Sequence, residues 1–301
     1  MNNVWRLYFL NVGDGDCVYL ENGSRSFNLV IDGGRSGNAL IGFLRERQVD
    51  RIDLVISTHC HQDHASGLLA MANLVSVGEF WTPYPLAGDM FRTTIMPRED
   101  WPREAKLGLL AMADYQLLLE RLADKQIPCR TVNAGQVKSH DDLLIRIAYP
   151  PPQAVDDFCR DARWAAEYPG AESYGQLMGK MNAASLFITL KVGQTVVHLP
   201  SDPPVEQISL SGLEVCQLLK LAHHGCIDGV SEALLTSLQP RAVVISAARD
   251  SGEFPSPETL ALLDRKRRRE GGDFAVFFTD TAAELPYLLF EIFPDGHIQK
   301  Q

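Results

Sequence analysis

The sequence lacks any stretch approaching the roughly 20 consecutive apolar residues that a membrane-spanning helix requires, so we expect no membrane association. Its N-terminal residues do not combine a basic start, an apolar run and a small-residue cleavage site, so we expect no secretory signal. The six cysteines are scattered, without a CxxC pair or a disulfide-like spacing. These absences predict a reduced, cytoplasmic protein.

Positive charge is also scarce. The 28 Lys and Arg residues are outnumbered by 38 Asp and Glu residues, which gives a net charge of -10. Because phosphate binding requires a positive field, this balance argues against a protein that binds nucleic acid over its whole surface. One basic run, at 265–269, has the composition of a phosphate contact. We favour reading it as the solvated C-terminus of a helix, where the helix dipole stabilises cations.

Short runs rich in β-branched and aromatic residues fill the first sixty residues and return from Ser185 onward. Two of these later runs predict a hairpin across Gly193 and Gln194, and Ser256 is typical of a helix N-cap. The stretch between, at about 82–180, is less regular and includes a predicted helix over 104–124. We expect a single α/β domain over 1–301, with a partly helical insertion and two sheets packed face to face.

The strongest chemical signal is the segment THCHQDH at 58–64, which directly follows the apolar run IDLVIS. Imidazole and carboxylate groups are ligands that suit zinc, manganese or iron. In an extended segment alternate residues point the same way, so His59 and His61 can share one ion. After the turn into the next helix, Asp63 and His64 can hold a second ion. A chance cluster of surface histidines is the weaker reading.

This HxHxDH motif after an apolar strand resembles the metallo-β-lactamase-fold hydrolases. The surrounding phrases are similar to one branch of that family, the hydrolase domain of the DNA-uptake protein ComEC and its stand-alone relatives. The matching phrases are NVGDGDC at 11–17, VIDGG at 30–34, NAAS at 182–185, SD at 201–202 and KLAHHG at 220–225. The resemblance spans about Leu7 to Pro257, with a poor match at about 82–180. It implies a four-layered αββα sandwich.

The resemblance also implies a centre for two divalent ions, zinc or manganese. His59 and His61 would hold the first ion, and Asp63 and His64 would hold the second. The carboxylate of Asp202 would bridge both ions. One of His223 and His224 would complete the second site, and we favour His223 because it comes first after the predicted strand.

Three further assignments concern residues around the ligands. Asp32 would orient a metal ligand by hydrogen bonding. Asp63 and His224 are the candidate catalytic residues; if it is not a ligand, His224 would stabilise developing charge or protonate the leaving group. Cys60, between two ligands, would point away from the ions.

Two positions depart from the family pattern. Asn182 stands where the family often has a further histidine ligand, although the ComEC branch also tends to lack it. An amide oxygen is a weaker, harder ligand than imidazole, so the first metal site would be labile, empty or better suited to manganese. Ser256 stands where the branch commonly has a histidine, which leaves a general acid at this position in doubt.

The predicted function is metal-dependent hydrolysis by a metal-bound hydroxide, most directly of a phosphodiester in a nucleic acid or a nucleotide-like molecule. A single-stranded nucleic acid is the candidate macromolecular substrate. One alternative is a hydrolase of a small ester, lactone or thioester, which would share every ligand. The other is a non-catalytic member of the fold that serves a protein partner.

Overall fold

The computed structural model describes residues 4–86, 89–270, 274–281 and 286–301, and these residues form two β-sheets. The strands of the first sheet are β1 (Trp5–Leu10), β2 (Val18–Asn22), β3 (Asn28–Ile31), β4 (Arg51–Ile56), β5 (Ser76–Thr82), β6 (Cys129–Thr131), β14 (Tyr287–Ile292) and β15 (Ile298–Lys300). The strands of the second sheet are β7 (Val137–His140), β8 (Leu143–Tyr149), β9 (Phe187–Val192), β10 (Thr195–Pro200), β11 (Leu218–Lys220), β12 (Ala242–Ile245) and β13 (Ala275–Phe278).

The α-helices of the described residues connect and cover these strands. They are α1 (Asn38–Glu46), α2 (Gln62–Leu74), α3 (Arg103–Asp124), α4 (Pro152–Glu167), α5 (Ala171–Gly175), α6 (Leu177–Ala183), α7 (Glu232–Leu238) and α8 (Pro257–Arg269). None of these helices has the length and apolar character needed to cross a membrane.

The two sheets pack face to face, and helices cover both outer faces. Alternation along β1 shows the division, because Trp5, Leu7 and Phe9 lie in the core between the sheets while Tyr8 and Leu10 pack under helices. Helices α1 to α4 cover the first sheet, and α7 and α8 cover the second. The expected four-layered αββα sandwich is confirmed.

Parallel pairing places the ends of several strands at one edge of the sandwich. Strands β3 and β4 pair in parallel in the first sheet, and β10, β11 and β12 pair in parallel in the second. The loops that follow these strands therefore leave from the same edge. This edge carries the histidines that follow β4.

The stretch at 82–180 is not only helical. It contributes α3 to α6, and it also supplies β6 to the first sheet and the β7–β8 hairpin to the second. Its largest helix, α3, agrees with the predicted helix over 104–124. The predicted hairpin across Gly193 and Gln194 is present as β9 and β10, with Val192 paired to Thr195.

The basic run at 265–269 lies on α8, whose N-cap is Ser256 as predicted. Its side chains are largely engaged with acidic neighbours: Lys266 pairs with Glu270, Arg268 with Asp264 and Arg269 with Glu232. These pairs agree with the reading of this run as a charged helix end.

The absence of a side chain at Gly67 allows α2 to pack closely against the loop that follows β3. A Cβ added to Gly67 would lie 1.9 Å from the carbonyl oxygen of Gly33, far inside van der Waals contact. Gly42 on α1 is the matched case, because it is exposed and a Cβ there would have nothing within 4 Å.

We expect Gly67→Ala to lower the free energy of unfolding by about 1–3 kcal/mol, since two backbones must separate. Gly42→Ala should leave it unchanged or raise it by up to about 1 kcal/mol, because alanine has the higher helix propensity. Denaturant unfolding of both variants measures the difference. Equal effects of the two substitutions would contradict this account of the α2 contact.

Candidate metal centre

A cluster of buried acids and imidazoles lies where the parallel strands end. The first sheet contributes Asp32 after β3, and the segment after β4 that leads into the first turn of α2. The second sheet contributes residues after three neighbouring strands, β10, β11 and β12. The side chains brought together at this edge are Asp32, His59, His61, Asp63, His64, Asp202 and His224.

Asp202 lies at the middle of the cluster. Its Oδ2 atom is 3.2 Å from Nε2 of His64, 3.6 Å from Nε2 of His224 and 3.8 Å from Nε2 of His59. Oδ2 of Asp63 lies 3.5 Å from the same Nε2 of His224. Ligands about 2.1 Å from a tetrahedral zinc ion are about 3.4 Å apart, so these separations fit ligands around an ion.

Asp63, His64 and His224 around Asp202 form what we call the second group, and a first group, His59 and His61, lies beside it. Ligand atoms of His59, His61 and Asp202 all lie within 4.8 Å of one another. The Nε2 atoms of both histidines and Oδ1 of Asp202 are buried without a hydrogen-bond partner. Buried polar atoms are almost always satisfied, so three orphaned atoms in one place indicate a missing electropositive partner. A divalent ion meets that requirement for each.

Hydrogen bonds at the far side of the rings direct the Nε2 atoms inward. Nδ1 of His64 donates to Oδ2 of Asp32 at 2.9 Å, and Nδ1 of His224 donates to the carbonyl of Ser246 at 3.0 Å. Each ring therefore presents the lone pair of Nε2 to the cluster, as a metal-bound imidazole requires. Asp32 is fixed in turn by the backbone N–H and the hydroxyl of Thr58.

Charge divides the cluster into two unequal parts. Burial alone would lower the pKa of His64 and of His224, but Asp202 and their other carboxylate neighbours raise it, well above the ordinary value for His64 and to about 10 for His224. Burial lowers the pKa of His59 well below its ordinary value and that of His61 to about 4. The carboxylates around His64 and His224 therefore favour positive charge at this pair of rings, which a proton between them or a bound ion would supply.

The two adjacent histidines direct their rings to different places. Both have left-handed backbone angles, with φ of 50° at His223 and 54° at His224, which turns the second ring into the cluster. Nδ1 of His223 donates to Asp228 at 2.8 Å, and its Nε2 lies 3.5 Å from the amide nitrogen of Asn182. The geometry therefore does not support the preference for His223 as ligand. Nε2 of His224 instead lies beside the carboxylates of Asp63 and Asp202, where a ligand of the second ion is expected.

Three further positions singled out from the sequence lie outside the two ligand groups. Asn182 lies in the last turn of α6, and its Oδ1 atom is buried without a hydrogen-bond partner. Ser256 caps α8 and donates its backbone N–H to the carbonyl of Gly225. Cys60 is fully buried, and its Sγ accepts a hydrogen bond from Tyr84 at 3.5 Å, so it points into the core as expected.

Sequence reasoning missed two charged residues at this centre. The ligand atoms of Asp16 lie within 4.8 Å of those of His64, Asp202 and His224, and Asp16 forms an ion pair with Lys220. Both residues stand inside phrases that were matched to the family, NVGDGDC and KLAHHG. A charged residue within a mainly apolar or glycine-rich segment was the feature of the sequence that could have indicated each of them.

Comparisons with known proteins agree with this geometry at the level of the fold. The model of the metallo-beta-lactamase superfamily matches residues 10–85, about a quarter of the chain. The chain is similar to the metallo-beta-lactamase fold protein YhfI from Bacillus subtilis, at 10% identity and a TM-score of 0.52, over 97% of this chain and 100% of that one.

A second solved protein with this fold is CmlA. A mutant of the CmlA beta-hydroxylase matches at 13% identity and a TM-score of 0.52, and covers 95% of this chain and 54% of the other. CmlA from Streptomyces venezuelae, a diiron beta-hydroxylase, matches at 14% identity and a TM-score of 0.50, over 91% and 52%. The chain thus spans about half the length of CmlA. No curated protein matches the chain by sequence. The chain has the metallo-β-lactamase fold.

The different positions of the His223 and His224 rings predict different metal contents for two alanine variants. We expect His224→Ala to lose about one ion per chain relative to the parent, because Asp63 and His64 then lack their partner imidazole. His223→Ala should keep the parent content. Elemental analysis after dialysis against manganese or zinc measures both, and loss of metal only in His223→Ala would restore the sequence-based assignment.

The hydrogen bond from His64 to Asp32 predicts a defect in a variant of the same shape. In Asp32→Asn an amide N–H₂ faces the Nδ1–H of His64, so the ring must give up its inward lone pair. We expect metal affinity to fall about 10–100-fold. Asp114→Asn is the control, because Asp114 also accepts from α2, through Gln62 and Ser66, but contacts none of the ligands. Isothermal titration with zinc distinguishes them.

Proposed function

We propose that this chain, which has the metallo-β-lactamase fold, is a metal-dependent hydrolase that cleaves a phosphodiester. The observation that carries the proposal is the convergence of unsatisfied, buried ligand atoms on the carboxylate of Asp202. Such a cage has no value for stability without cations, because buried like charges and orphaned polar atoms destabilise a fold.

The residues would hold two ions that share Asp202. His59 and His61 form one group with this carboxylate, and His64 and His224 form another, with Asp63 beside His224. When bound, such ions supply Lewis acidity toward a phosphoryl oxygen and lower the pKa of a bound water. The solved CmlA protein is described as a diiron enzyme, which supports the capacity of this fold for a two-metal centre.

The formal charge of the centre favours an anionic substrate. When the imidazoles are neutral, the centre has three net negative charges. They come from the carboxylates of Asp16, Asp32, Asp63 and Asp202 and the ammonium of Lys220. Two divalent ions turn this into one net positive charge, which a metal-bound hydroxide would reduce to zero, and one ion leaves it negative. With two ions bound, the centre would accept the negative charge of a phosphodiester without net repulsion, and the ions would attract its charged oxygens more strongly than the carbonyl of a neutral ester. The likeness of the sequence motifs to the ComEC branch supports the same substrate class.

The surface favours a small or single-stranded substrate over a duplex. The net charge of the chain is -10, and the basic run on α8 is largely paired with acids. On the helical segment after β8, Trp164 and Tyr168 are exposed and available to stack on a base, while Tyr174 is buried. We therefore propose a nucleotide-like phosphodiester or a single strand.

A paired assay tests the proposed chemistry. We expect the zinc- or manganese-loaded chain to hydrolyse bis(p-nitrophenyl) phosphate well above p-nitrophenyl acetate. His61→Ala should reduce phosphodiester turnover by at least about 100-fold, since residues that merely orient ligands already contribute 10–100-fold. His140→Gln is the control, because His140 stacks on Phe27 and belongs to neither ligand group.

The same measurements identify the two alternatives. Turnover of the acetate alone, lost in His61→Ala, would contradict the phosphodiester and favour a hydrolase of small esters, lactones or thioesters. Fewer than one ion per chain after metal loading would contradict catalysis altogether. That result would favour a non-catalytic protein that serves a partner.

A further inference from the structure

A buried ion pair lies behind the imidazoles of the candidate centre. Lys220 ends β11 and is 2% exposed, and its ammonium forms an ion pair with the carboxylate of Asp16, itself 3% exposed. The two residues belong to opposite sheets, since Asp16 precedes β2 and Lys220 ends β11. Their contact joins the two sheets directly beneath the ligands.

Asp16 faces both imidazoles of the second group from the side opposite to Asp202. Its Oδ2 lies 3.7 Å from Nδ1 of His64, and its Oδ1 lies 3.8 Å from Nδ1 of His224. Those Nδ1 atoms already donate to Asp32 and to the carbonyl of Ser246. The carboxylate of Asp16 therefore adds negative charge at the outer edge of both rings, which increases the basicity of Nε2.

Lys220 also fixes the backbone that presents Asp202. Its Nζ donates to the carbonyl of Pro200 at 3.0 Å and contacts that of Ser201 at 3.5 Å, the two residues before Asp202. The Ser201 carbonyl also accepts the backbone N–H of His223 at 2.9 Å. One ammonium thus connects the loop after β10, the histidine pair after β11 and the loop that carries Asp16.

The loop that carries Asp16 also contacts Asp63, a member of the second group. The backbone N–H of Asp16 donates to the carbonyl of Asp63 at 3.2 Å, and a Cβ at Gly15 would lie 2.3 Å from that same carbonyl. Glycine at position 15 therefore permits this close approach. Through Asp16, the ammonium reaches the first turn of α2, where Asp63 and His64 lie.

We propose that Lys220 and Asp16 act as a pair of positioning residues for the second group of ligands, Asp63, His64 and His224 around Asp202. A buried ion pair contributes little to stability compared with apolar residues of the same size, so its use here is specificity of geometry. The pair aligns ligands from both sheets so that they meet one ion. This inference rests on the metal centre of the proposed function.

The test isolates the second group with Co²⁺, whose visible spectrum reports ligand number and geometry. In a His61→Ala background, where the first group is disabled, Lys220→Met should weaken Co²⁺ binding about 10–100-fold. In a His224→Ala background, where the second group is disabled, only the effect of Lys220 on the shared ligand Asp202 should remain, and the same change should weaken binding by a smaller factor, less than about tenfold. Equal weakening in both backgrounds would overturn the proposal.

Variants of the pair separate positioning from simple stability. Lys220→Met leaves the Asp16 charge unpaired, whereas the double variant Asp16→Asn with Lys220→Met removes both charges and relieves that penalty. We expect the double variant to recover thermal stability but not Co²⁺ affinity or the parent spectrum. Recovery of both would reduce the pair to a structural contact and overturn the proposal.

A buried lysine remote from the centre provides the control. Lys266 on α8 is 6% exposed and pairs with Glu270, so Lys266→Met should reduce stability without changing Co²⁺ binding. If the His61→Ala chain bound no Co²⁺ at all, the proposed function and this inference would both fail. If it bound Co²⁺ with an affinity that Lys220→Met did not change, this inference alone would fail.

Discussion

The carboxylate of Asp202 imposes the constraint on which the rest of the centre depends. It is 2% exposed, and three imidazole Nε2 atoms approach one of its oxygens to within 3.8 Å. Burial alone would raise the pKa of this carboxyl, but the charges of His64 and His224 lower it well below its ordinary range. A buried anion of this kind requires cations around it, whether protons on imidazoles or metal ions.

The architecture of the sandwich satisfies this constraint from two directions. Parallel pairing of β3 with β4 and of β10 with β11 and β12 brings loop residues from both sheets to one edge. Close backbone packing then fixes the positions of these loops, as at Gly67, where α2 lies against the carbonyl of Gly33. Two hydrogen bonds cross between the sheets near this edge, one between the hydroxyls of Thr58 and Ser201 and one from the hydroxyl of Ser246 to the carbonyl of Gly15. Rigid neighbours therefore hold ligands that are remote in sequence.

Local pattern was sufficient to predict much of this arrangement. The apolar strand before the HxHxDH motif, the N-cap at Ser256 and the two-residue turn at Gly193 all depend on interactions within a few residues, so the sequence displays them directly. The choice between His223 and His224 could not be predicted in this way. It depends on two consecutive left-handed backbone angles, which are uncommon for histidine and have no signature in composition.

Long-range partners were hidden for a related reason. Asp16 and Lys220 are 204 positions apart, and nothing in either phrase indicates that the other is its partner. The partner of a buried charge depends on strand order and register. In the second sheet β11 pairs with β10, and the loop before β2 of the first sheet reaches the same edge. Only the folded chain shows which charges offset one another.

The two groups of ligands are unequal, and the departure at Asn182 falls on the weaker one. Asp63, His64 and His224 share Asp202 with carboxylates behind their rings, whereas His59 and His61 have neutral rings in a strongly desolvated place. Because Asn182 replaces the histidine that the family often has, the first group has one imidazole fewer. This group is also the part of the centre with the least negative charge. The second group keeps two carboxylates and two imidazoles, a complete tetrahedral set. An ion held there would anchor the proposed centre, and the first group would hold a second ion with lower affinity.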